Sequence, residues 1–322
     1  MAAPRRPPFR IADAAVAAGQ TVSTEIPIAR LVTGTRISLP IQVVHGRHEG
    51  PTTWVSAAVH GDEIAGVEII RRVVGSIDAR TLFGTLLTVP IVNAHGFLTG
   101  DRYLPDRRDL NRSFPGSAKG SLAARVANLF MTEIVSRCEV GIDLHTGSDH
   151  RTNLPQVRAD LDDERTRTLA EAFDAPLMLH AKVRDGSLRG AATDAGATVL
   201  LYEGGEAWRF DCDAIEAGVY GVRRVLAELG MIEVDDVPGR GPPLESRKST
   251  WVRARRSGIA LLDAGLGDRV SHGEALGVIH DSVGARLSRI TASTDGVVIG
   301  HIQHPLVNQG DALVHIAEVI TT

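Results

Sequence analysis

The apolar positions fall into short runs, and between the runs they recur at helical spacing. Residues 52–59 (TTWVSAAV) are almost wholly apolar, as expected of a strand buried on both faces, and the run leads into His60-Gly61. Beyond it Ile64, Val67, Ile70 and Val74 recur with a period near 3.6, which predicts a helix that Gly75 can stop. Residues 85–92 (TLLTVPIV) predict a second buried strand, followed by a loop at 93–96. The stretch 100–120 is polar and rich in Arg, Asp, Pro and Gly, the texture of a long loop that is functional or disordered. Residues 121–137 read as an amphipathic helix, 140–144 as a strand ending at His145, and 161–173 as a helix. Residues 198–202 (TVLLY) read as a strand ending at Glu203, and 213–229 as the last helix. Ahead of all these, up to about Pro40, short alternating segments such as 35–41 predict an antiparallel hairpin or edge strands. Strands alternating with helices indicate an α/β fold, a mainly parallel mixed sheet flanked by helices.

The pattern changes at residues 237–249. Pro238, Gly239, Gly241, Pro242 and Pro243 suggest a linker, and helical periodicity disappears after it. From there to the end, short apolar runs are split by Gly-Asp, His-Gly and Asp-Gly turns, the pattern of a small all-β module. It contains an internal echo. Val270-x-x-Gly273-x-x-Leu276 returns as Val307-x-x-Gly310-x-x-Leu313, suggesting two similar β halves. The expected division is 1–240 and 241–322.

Composition narrows the function classes. A chain of 322 residues can hold one large domain and a small one. The net charge of -4 offers no basic excess for nucleic acid or an anionic membrane. Cys138 and Cys212 form no Cys-x-x-Cys motif and read as ordinary reduced thiols. Residues 1–20 carry Arg5, Arg6 and Arg10 without a continuous apolar core, unlike a signal peptide. No apolar run approaches the roughly 18 residues of a membrane span. The expectation is a cytoplasmic protein with a small-molecule substrate and neither nucleic acid nor membrane as partner.

Ligands of open parallel sheets bind beyond the C-terminal ends of the strands. Three of the expected strands lead into a residue able to bind a metal or act beside one: His60, His145 and Glu203. In His60-Gly61-Asp62-Glu63, the imidazole would close the strand and the carboxylate would fall in the first turn of the next helix. The spacing alone is weak, because His315 and Glu318 repeat it; in a strand, however, residues three apart face opposite ways. His145 sits in Ile142-Asp143-Leu144-His145-Thr146-Gly147 with a flanking carboxylate. Two His and one Glu with a fourth position open form a catalytic zinc arrangement, whereas a closed structural site would want four protein ligands.

Three motifs, in order, carry a resemblance: His60-Gly61-Asp62-Glu63, residues 102–116 (RYLPDRRDLNRSFPG), and Asp143-Leu144-His145-Thr146-Gly147. The chain resembles the succinylglutamate desuccinylase/aspartoacylase family, which is related to the zinc carboxypeptidases, over roughly residues 35–230. The resemblance implies one zinc ion per chain, held by His60, Glu63 and His145. It implies an amidohydrolase that removes an acetyl, succinyl or similar group from an N-acylated amino acid or related small amine. Asp109 would then orient His60. Asn111 and Arg112 would bind a substrate carboxylate, and Arg102 would polarise the scissile carbonyl. Glu203 would serve as general acid/base for water activated at the metal.

Glu206, three residues on, rivals Glu203, and His150 lies near the His145 loop. His95, His180 and His272 read as surface or loop residues. A carboxypeptidase acting on short peptides and a non-catalytic binding protein on the same scaffold remain alternatives. The C-terminal module resembles a biotinyl/lipoyl-like barrel-sandwich domain. A carrier lysine would stand at a hairpin tip, but Lys248 lies at the module's start. Covering part of the site mouth or supporting a homo-oligomer fits it better.

Overall fold

The computed structural model describes residues 6–148, 150–182, 184–233, 239 and 241–319. Positions 237, 238 and 240 of the expected linker lie outside the described residues. The chain opens with a small antiparallel pair, β1 (Phe9–Ile11) and β2 (Ala14–Val16), and the predicted hairpin, β3 (Gln20–Arg30) and β4 (Arg36–His45). Next come β5 (His48–Ala57), α1 (Ala65–Gly75), β6 (Phe83–Val89), α2 (Ala94–Thr99) and α3 (Leu122–Glu133). They lead to β7 (Val140–Gly147), β8 (Arg151–Ala159), α4 (Glu164–Phe173), β9 (Leu177–His180), α5 (Leu188–Asp194), β10 (Thr198–Glu206) and α6 (Cys212–Glu228). From Leu244 onward the described residues form strands without helices: β11 (Leu244–Arg253), β12 (Gly258–Leu262), β13 (Arg269–Val270) and β14 (Ala275–His280). β15 (Arg286–Thr291), β16 (Gly296–Ile302), β17 (Leu306–Val307) and β18 (Ala312–Val319) complete it.

One sheet runs β13-β16-β18-β11-β9-β8-β10-β7-β5-β6-β4-β3. It is mixed. The central strands β6, β5, β7 and β10 are parallel, and antiparallel pairs occupy both flanks. Parallel pairs also join β8 to β9 and β9 to β11, whereas β10–β8 and β4–β6 are antiparallel, so the expected parallel character holds only in part. Helices cover both faces. The apolar stripes of α1, α4 and α6 pack on Val55, Ile142 and Leu200, while α3 and α5 pack on Trp54, Leu87 and Val199.

β16 pairs with both β18 and β8. The strands β8, β9, β11, β18 and β16 therefore close into a ring around Leu177, Leu179, Val297, Ile299 and Ala317. The C-terminal strands thus share one sheet with the α/β part. The remaining strands β15-β14-β12-β17 form a second sheet, packed on β11, β16 and β18 through a separate apolar cluster. The sequence echo lives there. Val270, Leu276, Val307 and Leu313 all enter that cluster, and Gly273 and Gly310 turn the chain with φ of 82° and 96°.

Several boundaries differ from the sequence reading. β5 ends at Ala57, three residues before His60, and α1 begins only at Ala65. Glu63 lies in the intervening tight turn, where its N–H donates to the His60 carbonyl at 3.2 Å. β7 and β10 extend past His145 and Glu203, so both residues lie inside strands rather than beyond them. The helix expected at 121–137 breaks into α3 and a short 3-10 turn, and residues 94–96 of the loop expected at 93–96 open α2. β8, β9 and α5 were not anticipated, because β8 is rich in polar residues and β9 and α5 are short.

Candidate active site and metal centre

His60, Glu63 and His145 come together at the C-terminal ends of β5 and β7. His60 Nδ1 lies 2.7 Å from Glu63 Oε1, and His145 Nδ1 lies 2.7 Å from Glu63 Oε2. All three residues are buried, and their ligand atoms fall within 4.8 Å of one another. Each imidazole is backed by a second carboxylate. His60 Nε2 is 3.2 Å from Asp109 Oδ1, and His145 Nε2 is 2.8 Å from Asp143 Oδ2. A carboxylate at Nε2 keeps the proton there and leaves the Nδ1 lone pair for a metal. Two such nitrogens and one carboxylate are the donor set of an open catalytic zinc site.

Asp109 was expected behind His60. The equivalent place of Asp143 behind His145 was not. Asp143 and His145 are two apart on β7 and so share a face, and Ser56 of the neighbouring β5 donates from Oγ to Asp143 Oδ1 at 2.8 Å. An acid two residues before a strand-borne ligand histidine is the signal that could have found it. Asp143→Asn is expected to weaken metal binding by roughly 10- to 100-fold, read by titration against a chelator.

Burial shapes the charges. It opposes ionisation of Glu63, but His60 and His145 outweigh it and hold the carboxyl well below its usual range. Burial also opposes charge on His145, yet Asp143 and Glu63 raise its pKa well above the ordinary value. His60 is raised in the same way, against its burial, by Glu63 and Asp109. A metal bound at the two Nδ1 atoms would displace protons from these imidazoles.

Arg102 joins this network, donating from Nη1 to Glu63 Oε1 at 3.1 Å and from Nη2 to Asp109 Oδ2 at 3.2 Å. Asn111 and Arg112 lie in a short 3-10 turn started by Asp109, whose Oδ1 accepts from the Asn111 backbone N–H at 2.8 Å. Asn111 Oδ1 accepts from Leu188 N–H at the start of α5, 2.8 Å away. Glu203 stands in β10 opposite His145 of β7. Its Oε2 accepts from Asn153 Nδ2 at 2.7 Å, and its Oε1 lies 3.7 Å from Arg158 Nη1. Glu206 instead pairs with Arg209 at 3.2 Å.

These groups share a cavity of about 640 Å³ lined by His60, Glu63, Arg102, Asn111, Arg112, His145 and Glu203. Glu206 and His150 are not among its lining residues; the His150 ring packs 5.2 Å from that of His304. The wall is strongly cationic. Arg102, Arg112, Arg151, Arg158, Lys182, Arg184, Arg189 and Arg247 face two carboxylates, Glu63 and Glu203. Burial, reinforced by Arg158, pushes the Arg189 pKa down to about 10, which marks a guanidinium short of compensating negative charge.

Two histidines read as idle or peripheral also line this cavity, His180 and His315. His315 stacks on Trp251 at 4.4 Å and 11°, and burial together with Arg158 lowers its pKa to about 3, so it is neutral. Trp251 of β11 and His315 of β18 reach the site because these strands belong to the same sheet as β8 and β10, and His180 ends β9 of that sheet. Arg247 and Ser249 line the cavity from β11 as well, so the C-terminal strands cover part of the site. Glu318 faces away from the cavity and pairs with Lys248 at 2.7 Å, as strand alternation requires.

Comparison with known proteins agrees with this geometry. The family model for the succinylglutamate desuccinylase/aspartoacylase catalytic domain matches residues 49–229. The N-alpha-acetyl-L-2,4-diaminobutyric acid deacetylase of Halomonas elongata is 28% identical over 298 residues, covering 88% of this chain and 86% of that protein. The crystal structure of a succinylglutamate desuccinylase/aspartoacylase from Rhodobacter sphaeroides is 26% identical, with a TM-score of 0.84 over 98% of this chain and 100% of that one. The product-bound ectoine utilization protein EutE (DoeB) from Ruegeria pomeroyi shares the fold at 22% identity, with a TM-score of 0.85 over 98% and 99% of the two chains. A family match over more than half the chain, with the paired histidines and their carboxylates at its centre, makes this protein a member of the succinylglutamate desuccinylase/aspartoacylase family.

Proposed function

We propose that the chain is a zinc-dependent amidohydrolase that removes an acyl group from an N-acylated amino acid or a related small amine. The observation that carries this reading is the pair of imidazoles whose Nδ1 atoms converge on Glu63 while carboxylates hold their Nε2 atoms, with Glu203 one strand away in the same cavity. His60, Glu63 and His145 would hold zinc, which when bound supplies a Lewis acid for water and for the scissile carbonyl. Glu203 takes a proton from the attacking water and gives it to the departing nitrogen. Arg102 donates to the oxyanion that develops on the carbonyl oxygen. Asn111 and Arg112 hold a substrate carboxylate.

The excess of guanidinium groups in the cavity favours a substrate with more than one carboxylate over one with a free ammonium group. The test is a panel of N-acetyl- and N-succinyl-aspartate and -glutamate, N-α-acetyl-L-2,4-diaminobutyrate and short peptides, assayed with zinc-loaded and chelator-stripped protein. Activity is expected only with zinc. The acidic derivatives are expected to exceed the diaminobutyrate in kcat/KM by about tenfold or more. Faster release of C-terminal residues from peptides would instead make the enzyme a carboxypeptidase.

No described helix is long and apolar enough to cross a membrane. We place the enzyme in the cytoplasm, acting on small molecules. We retain the division at about residue 240 as a proposal, supported by the separate apolar cluster of the C-terminal strands.

A further inference from the structure

We infer that Asn153 is a positioning residue for Glu203, and that Gly300 of the C-terminal strand β16 sets the orientation of Asn153. The inference rests on the reading of Glu203 as the proton-transfer group. A glutamate carboxylate turns freely about its last torsion, so a general base that must present one oxygen to water needs the other one held. Asn153 Nδ2 donates to Glu203 Oε2 at 2.7 Å. That leaves Oε1, with Arg158 Nη1 3.7 Å away, for the water and the leaving nitrogen.

Asn153 is itself only 6% exposed, in β8, between β10 and β16. On one side its register partner is Gly205, and the register of β10 against β8 shifts between Glu203 and Gly205. Such irregularities re-aim side chains beside active sites. On the other side its partner is Gly300. A Cβ at position 300 would lie 2.8 Å from Asn153 Oδ1, closer than such atoms approach. Gly300 is not among the positive-φ glycines, so its backbone does not demand glycine. What the glycine supplies is room for the amide oxygen, with the amide nitrogen then turned to Glu203. A strand from the last part of the chain thereby bears on proton transfer through the wall of the five-stranded ring.

The experiment uses the zinc-loaded protein and the fastest substrate of the panel above. Asn153→Asp keeps the shape but loses the donor, and kcat is expected to fall roughly 10- to 100-fold with KM and zinc content unchanged. Gly300→Ala is expected to fold, because the Asn153 amide can move aside and the Thr152 carbonyl oxygen, 3.2 Å from the added Cβ, need give by only a few tenths of an ångström, and to lower kcat by about tenfold. In an Asn153→Ala background the same substitution is expected to change nothing further, since its effect passes through the missing amide. A second reading does not depend on turnover. The Asn153 side-chain amide resonance, identified by its loss in Asn153→Asp, is expected to move in both Gly300→Ala and Glu203→Gln. An unmoved resonance, or an equal kcat loss from Gly300→Ala in both backgrounds, overturns the inference. Wild-type protein inactive on every substrate overturns the proposed function instead, and the resonance still decides the role of Asn153.

Discussion

His145→Ala is expected to strip the protein of zinc and to lower kcat/KM by on the order of a thousandfold or more, the equivalent of several kcal/mol of lost electrophilic stabilisation. The substitution removes one of two Nδ1 donors, and two ligands cannot retain a catalytic ion against solvent. Among the described residues it also leaves the buried Asp143 carboxylate with Ser56 alone as a bonded partner. A drop in melting temperature should therefore accompany the loss of metal. Zinc retained at full occupancy, by elemental analysis of the purified variant, would count against the trio.

The same chemistry gives metal binding a pH dependence of definite sign. Zinc takes neutral imidazole, whereas the metal-free protein holds both histidines with raised pKa values. Affinity should therefore fall as pH drops through those raised values, and binding at neutral pH should release protons. The metal-free fold behaves oppositely. A histidine pKa raised in the folded state contributes stability that is complete below the unfolded value of about 6.5 and lost as pH rises through the folded value. The gain in melting temperature on adding zinc should consequently grow between about pH 6 and 8. A gain that shrinks over this range contradicts the assignment.

Glu203→Gln is expected to lower kcat by roughly 10²- to 10⁴-fold while zinc content and KM stay close to those of the parent protein. Glutamine preserves the shape and can still accept from Asn153, so lost packing does not explain the change. What disappears is a group able to take and return a proton. Glu206→Gln is the control. Glu206 pairs with Arg209 and does not line the cavity, and its loss should change kcat by less than about threefold. If the two effects were exchanged, Glu206 would be the base and the register of β10 would need another explanation.

His60, Glu63, His145, Arg102, Asp109, Asn111, Arg112 and Glu203 were all legible in the chain itself. Most occur in motifs of fixed order, and His60, His145 and Glu203 are also marked by strands whose apolar runs are visible in one dimension. Glu63 was misplaced by a turn, because Ile64 ends the tight turn without any side-chain cap to mark where the helix begins. The spacing of His315 to Glu318 excludes only that pair and leaves open what else the imidazole faces, which is Trp251 and the cavity. Asp143 was visible only as part of a motif. Its task became clear once β7 was seen to carry it on the same face as His145, beside Ser56 of β5.

The sequence by itself determined the alternation of strands and helices, the candidate metal trio, the repeated Val-x-x-Gly-x-x-Leu of the C-terminal strands and the membership of a family. These rest on periodicity and on motifs whose members lie close in the chain or keep a fixed order along it. The tertiary structure alone decided that β16 closes a ring with β8, that Trp251 and His315 form part of the cavity wall, and that Asn153 stands between Gly300 and Glu203. Each of these joins residues far apart in sequence through strand pairing. Pairing register is set by which faces bury and which strands meet, and neither leaves a local mark on the chain.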